Sequence, residues 1–204
     1  MITIVDYGVG NIAAFLNIFK ELGIPCSLAK TKEDLIDAKK IILPGVGHFD
    51  FAMQKLTKSG MIETLHDKVL QEKIPVLGIC VGMQIMAQSS EEGKLDGLNW
   101  ITGKVKKIDT SALLQNTLLP HMGWNSIDIQ QNSGLFNNFQ NEADFYFLHS
   151  YVMECQDKNN ILATTEYGEE ITVIVQKDNI YGIQCHPEKS HQIGVQFLNN
   201  FVNL

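Results

Sequence analysis

Pro75-Val76-Leu77-Gly78-Ile79-Cys80-Val81-Gly82-Met83 reads as a strand that turns abruptly into a helix. Val76–Ile79 is a short apolar run of the kind buried in a sheet, and Met83–Gln88 has helical character. Small residues at 78 and 82 leave room for a tight corner around Cys80, the sequence form of a nucleophile elbow. A thiol there would stand at a helix N-terminus, where free N–H groups and the dipole favour a thiolate. The Val81 amide would point at an oxyanion. Read alone, the stretch leaves a plainer possibility open: free cysteines are among the most buried residues, and Cys80 could be one of them.

Outward from this corner the chain keeps one rhythm upstream and another downstream. Ile2–Val5 reads as a buried strand running into Asp6-Tyr7-Gly8-Val9-Gly10-Asn11. A helix follows, with Ile12, Phe15, Leu16, Phe19 and Leu22 at helical spacing and Gly23 placed to end it. Strand signals recur at Cys26–Ala29 and Lys40–Leu43, with helical stretches between. Strand, helix, strand in this order implies right-handed crossovers and a mostly parallel sheet covered on both faces, a three-layer α/β/α fold. After Ile101 short β-type runs dominate: Val105–Ile108, Phe145–Tyr151, Ile161–Thr165, Ile171–Val175 and Ile180–Gln184. Their spacing suggests antiparallel additions to the sheet. Ser190–Asn200 reads as a closing helix. The 204 residues are enough for one sizeable core and too few for two full domains, so one domain over 1–204 is expected.

Composition narrows the function. All 16 basic residues are lysine, so an arginine finger and a bidentate guanidinium clamp are excluded within this chain. A net charge of −7 argues against a nucleic-acid partner. Lys104, Lys106 and Lys107 form a short basic cluster that reads as a solvated strand or loop. No apolar run has the length of a membrane span, and the start has no signal-peptide form. Cys26, Cys80, Cys155 and Cys185 are scattered without a CxxC pair, which fits a reducing, cytoplasmic setting and suggests neither a zinc site nor a disulfide framework.

Three further stretches carry candidate chemistry. In Gln184-Cys185-His186-Pro187-Glu188, proline pushes His186 toward an extended conformation, where residues two apart share a face. His186 and Glu188 can then be a base and its orienting carboxylate, or simply a surface pair beside a turn. Leu43-Pro44-Gly45-Val46-Gly47 ends a strand in a glycine-rich turn that could supply a second oxyanion donor, worth roughly 3 kcal/mol of barrier, or be an ordinary loop. Gly8-Val9-Gly10-Asn11-Ile12-Ala13 has the form of a dinucleotide fingerprint, yet Lys30-Thr31-Lys32 stands where its acidic partner belongs. A nucleotide-binding module is the alternative this match keeps in view.

Together these stretches resemble a known family: the glutaminase subunits of imidazole glycerol phosphate synthases, within the class I, triad-type glutamine amidotransferases with their flavodoxin-like fold. The likeness runs nearly end to end. It is carried by Asp6–Asn11, Pro44-Gly45-Val46-Gly47-His48-Phe49, Gly78–Gln84, Pro120-His121-Met122-Gly123-Trp124-Asn125, His149-Ser150-Tyr151 and His186-Pro187-Glu188-Lys189-Ser190. The resemblance implies that Cys80 attacks the side-chain amide of glutamine, that His186 relays protons, and that Glu188 stabilises the imidazolium. Val81 and Gly47 would form the oxyanion hole. Gln84, Glu92, Ser150 and Tyr151 would bind glutamine. The ammonia would pass to a (β/α)8-barrel cyclase, held as a heterodimer through Pro120, His121, Met122, Trp124, Asn125, Tyr146 and Lys189. No cofactor and no metal are implied.

Three departures from the family pattern stand out. Cys185 replaces the usual Phe before the histidine, as packing or as a second thiol near the site. Asn116-Thr117-Leu118-Leu119 lacks a basic residue that relatives often carry. Ser190-His191 replaces Ser-Gln, as in a paralogous branch that feeds ammonia to sugar amidation in surface-polysaccharide synthesis, which is the second alternative. With no arginine available, lysines such as Lys189 would have to make the salt contacts of the interface, so association should be salt-sensitive.

Overall fold

Four short runs near the N-terminus set the centre of the molecule: β1 (Ile2–Val5), β2 (Cys26–Ala29), β3 (Ile41–Gly45) and β4 (Val76–Cys80). The structure, a computed structural model, describes residues 1–111, 113, 119–139 and 143–204. Every residue of β1, β3 and β4 is buried, as parallel strands covered on both faces must be, while β2 is half-exposed at the sheet edge. α1 (Ile12–Glu21) connects β1 to β2, burying Phe15 and Phe19. α2 (Phe49–Ser59) and α3 (Ile62–His66) connect β3 to β4. The chain steps outward from β1 to β2 but inward from β3 to β4, so right-handed crossovers place α1 on one face and α2 with α3 on the other.

Beyond β4 come α4 (Val81–Gln84), β5 (Ser89–Ser90), β6 (Gly103–Lys107), β7 (His121–Ser126) and β8 (Asp128–Ile129). Then follow β9 (Asp144–His149), β10 (Tyr151–Cys155), β11 (Ile161–Tyr167), β12 (Glu169–Lys177), β13 (Ile180–Ile183) and the closing helix α5 (His191–Val202). The main sheet runs β2-β1-β3-β4-β13-β12-β11-β8, parallel from β2 to β13 and antiparallel beyond. Two smaller sheets stand beside it, β10-β6-β5 and β7-β9.

The expected α/β architecture is present, with four local differences. Ile180–Ile183 is parallel to β4 rather than an antiparallel addition. The run Phe145–Tyr151 is broken at Ser150, whose carbonyl accepts from Ile108 N, so its two halves join different sheets. The segment from His121 is a regular strand, which its mixed composition did not announce. The helix expected over Met83–Gln88 ends at Gln84, because the Ile85, Met86 and Ala87 carbonyls accept bonds from the 98–101 backbone. So short a helix puts little macrodipole behind Cys80, contrary to expectation. Of the Asn116–Leu119 departure, residues 116–118 lie outside the described residues.

Candidate active site

Cys80 ends β4 with φ 54 and ψ −115, a conformation side chains rarely adopt. The corner closes only because its neighbours are glycine. A Cβ on Gly82 would lie 1.9 Å from the Leu43 carbonyl oxygen, and one on Gly45 would lie 2.2 Å from Gly82 N. The register Gly45↔Cys80 brings the Pro44–Gly47 turn of β3 beside the thiol. Gly47 follows with φ 83 and lines the same cavity as Cys80 and Val81.

His186 leaves the end of β13 in an extended conformation, and Pro187–Lys189 then forms a 3-10 turn. That turn, rather than a continued strand, brings Glu188 Oε1 to 2.9 Å from His186 Nδ1. His186 N donates to Tyr146 O, and the buried Ser190 hydroxyl donates to His186 O while accepting from Tyr146 N. The turn is thereby tied to β9. The Glu188 side chain is buried, and its Oε2 has no hydrogen-bond partner among the described residues, so its charge acts mainly on the imidazole. Burial pushes the His186 pKa down, but hydrogen bonds to Cys80 and Glu188, with the negative charges of both, outweigh it and raise it to about 10. Imidazolium is the favoured form at neutral pH. Tyr7 donates to the Pro44 carbonyl at 2.6 Å; its burial, then the charge of Cys80, push its phenol pKa up and keep it a donor.

A cavity of about 480 Å³ joins these groups. Cys80, Val81, Gly47, His186, Gln84, Glu92, Ser150 and Tyr151 all line it, so the structure brings together the residues expected to react and those expected to hold substrate, apart from Glu188 behind the histidine. Gln84 Nε2 donates to Tyr151 O at 3.1 Å and to Gln184 Oε1 at 3.0 Å. Both its protons are engaged, so it can offer a substrate only its Oε1. Glu92 Oε2 accepts from Phe49 N at 2.8 Å, and Asp50 in turn accepts from Lys94 N and Leu95 N. These reciprocal bonds pin the Glu92 loop to the start of α2. Sequence reasoning assigned no role to Asp50, Tyr7 or Gln184, whose contacts are to residues 37 to 104 positions away and leave no local signal.

Of the residues expected at a partner surface, Met122 (64% exposed) and Trp124 (49%) face outward. Trp124 stacks on His191, and Lys189 Nζ lies 5.6 Å over the Tyr146 ring. Pro120 and Lys189 line the cavity, and Asn125 donates to Glu166 O. His121 corrects the expectation of an exposed run: strand alternation turns it inward, 3% exposed, between the rings of Phe147 and Tyr167. Cys185 is wholly buried, and burial raises its thiol pKa well above the ordinary value, so it acts as packing. Gly10 of the dinucleotide-like stretch also has a packing cause. A Cβ on Gly10 would lie 2.7 Å from Pro44 Cβ, so the first loop needs glycine to fit under the Pro44 turn.

A family model for class I glutamine amidotransferase matches residues 3–204, and the chain belongs to that family. Its relatives narrow the placement. It is 51% identical to imidazole glycerol phosphate synthase subunit HisH of Bdellovibrio bacteriovorus over 98% of each chain. It is 49% identical to the same subunit of Leptospira interrogans over 100% of each. Within the class, the chain therefore groups with the HisH subunits. Among solved structures, PurLQS of Thermotoga maritima superposes with a TM-score of 0.75 at 17% identity, covering 99% of this chain and 97% of that one, a likeness of fold. These relatives favour neither the nucleotide-binding nor the polysaccharide alternative.

Proposed function

We infer that this chain is the glutaminase subunit of an imidazole glycerol phosphate synthase in histidine biosynthesis. It converts glutamine and water to glutamate and ammonia. The observation that carries the reading is Cys80, held at positive φ beside a His186–Glu188 pair, at the wall of a cavity that also contains Gln84 and Glu92.

The Cys80 thiolate attacks the side-chain carbonyl carbon of glutamine, forming a C–S bond and a tetrahedral oxyanion for the Val81 and Gly47 amides to hold. His186, as imidazolium, gives its proton to the amide nitrogen. The C–N bond breaks and ammonia leaves a thioester. Water then adds to the thioester as His186 takes its proton, the C–S bond breaks, and glutamate departs with the thiolate restored. Glu188 keeps the imidazole oriented and its cation stabilised throughout. Glu92, Gln84 and the Ser150–Tyr151 backbone meet the amino-acid end of the substrate.

The ammonia goes to a (β/α)8-barrel cyclase that makes imidazole glycerol phosphate and aminoimidazole carboxamide ribotide. An apolar face beside the cavity supports a partner there: Leu148, at the cavity wall, is the cross-strand neighbour of Met122, and Trp124 faces Tyr146 one step along. We take residues 1–204 as one functional unit in the cytoplasm, a setting in keeping with four free cysteines. Replacing Cys80 with Ala in the complex tests the whole reading. Glutamine-dependent turnover is expected to vanish while added ammonium still supports the cyclase; glutaminase activity that persists overturns it.

A further inference from the structure

We propose that Gln184 is a catalytic residue of this site, donating its side-chain amide to Cys80 Sγ and holding the thiolate between itself and His186. The proposal rests on the reading of Cys80 as nucleophile and adds a second stabilising partner to it. Gln184 is wholly buried directly after β13. The parallel register Ile183↔Ile79 carries it to the side of Cys80, 104 residues away in sequence. Its Nε2 lies 3.7 Å from Sγ, within reach for a sulfur acceptor.

Which end of the amide faces the sulfur follows from one backbone carbonyl. Tyr151 O can only accept, so the Gln84 atom 3.1 Å away must be the amino end. The second proton of that group faces Gln184 at 3.0 Å, so the Gln184 atom there is the carbonyl oxygen. The remaining end of Gln184, against Sγ, is therefore NH2, a donor. Tyr151 O fixes a second line as well. His149 Nδ1 lies 3.0 Å from it and must carry a proton, leaving its Nε2 to accept from His121 Nδ1 at 3.0 Å. His121 Nε2 then accepts from Asn125 Nδ2 at 3.3 Å. Neutral histidines suit these roles, and burial pushes both pKa values down, to about 3 for His149 and about 4 for His121.

A neutral carboxamide is a costly group to bury, and here its acceptor and donor ends are both engaged. A buried thiolate gains more from such a donor than the thiol does, because a charge-assisted hydrogen bond is the stronger. Gln184 would thus keep the sulfur ionised before substrate arrives.

Alkylation of Cys80 by iodoacetamide, followed across pH by mass spectrometry of the Cys80 peptide, reads the thiolate in the full-length chain without glutamine, partner or turnover. Gln184→Met removes the donor and keeps the volume. Gln184→Glu keeps the shape and the acceptor for Gln84 but puts a carboxyl oxygen against Sγ. Both are expected to move the alkylation midpoint upward, Gln184→Met by about one pH unit, a roughly tenfold loss of thiolate below the midpoint. A wild-type midpoint in either variant, with a cooperative melting curve, overturns the proposal. Should Gln184→Met not fold, the isosteric Gln184→Glu decides alone. Failure here leaves the Cys80→Ala result untouched, whereas failure of the nucleophile reading appears only in that activity test.

Discussion

At the scale of the residue, the site is a strained cysteine held by glycines. A non-glycine residue at φ 54 costs about 1–3 kcal/mol and persists only where its surroundings insist on it. Here the insistence comes from backbone against backbone, Gly82 on Leu43 and Gly45 on Gly82. Gly82→Ala has no flexible side chain to push aside, so it should lower unfolding stability by about 2–4 kcal/mol and slow Cys80 alkylation; urea melts and thiol labelling check both. Glu188→Gln keeps the shape beside His186 and removes the charge. A histidine titrating at about 10 when folded and near 6.5 when unfolded stabilises fully below pH 6.5 and loses that contribution as pH rises toward 10. The stability gap between wild type and Glu188→Gln should therefore be widest at pH 6 and narrow by pH 10 in denaturant titrations. Glutamine turnover in the complex should fall about a hundredfold or more.

At the scale of the element, β7 and β9 form a small sheet whose buried face holds two neutral histidines. Both titrate below their unfolded value, so they stabilise the chain above pH 6.5, and that contribution is lost as pH falls through about 4 and about 3. His121→Gln takes one of these groups away. Between pH 6 and 4 the variant should lose stability less steeply than wild type, by about one proton in the slope of unfolding free energy against pH. A second element-level contact joins α2 to the 91–95 loop. Asp50 accepts from two loop amides, which hold its carboxyl below the usual aspartate pKa. Asp50→Ala should free Glu92 to wander and raise the KM for glutamine in the complex about tenfold with kcat little changed, a split that steady-state kinetics would show.

At the scale of the whole molecule, the missing arginines and the exposed face belong together. On the proposed reading, the anions this chain must hold are an oxyanion and the α-carboxylate of glutamine, and neither needs a guanidinium. The face proposed for the partner then offers Trp124, Met122 and Lys189. Trp124→Ala should weaken association with the barrel by about 2 kcal/mol, roughly thirtyfold, read by titration calorimetry. Raising the salt concentration should weaken it further through the lysine contacts; an affinity independent of ionic strength would count against them.

Much of this protein was legible from local sequence. Apolar runs mark β1 to β4, and small-residue spacing marks Gly78–Gly82 as a candidate elbow, because strands and tight corners are properties of a few consecutive residues. His186 and Glu188 are a candidate pair from spacing alone, but a 3-10 turn rather than a shared strand face joins them. Tertiary structure alone decided where distant segments meet. It placed Ile180–Ile183 parallel to β4 and so set Gln184 beside Cys80. It cut the elbow helix to Val81–Gln84 and turned His121 inward onto Phe147 and Tyr167. It also tied the Glu92 loop to Asp50. Strand pairing and buried hydrogen bonds join residues far apart in the chain, and their partners are chosen by register and packing, which no single stretch encodes.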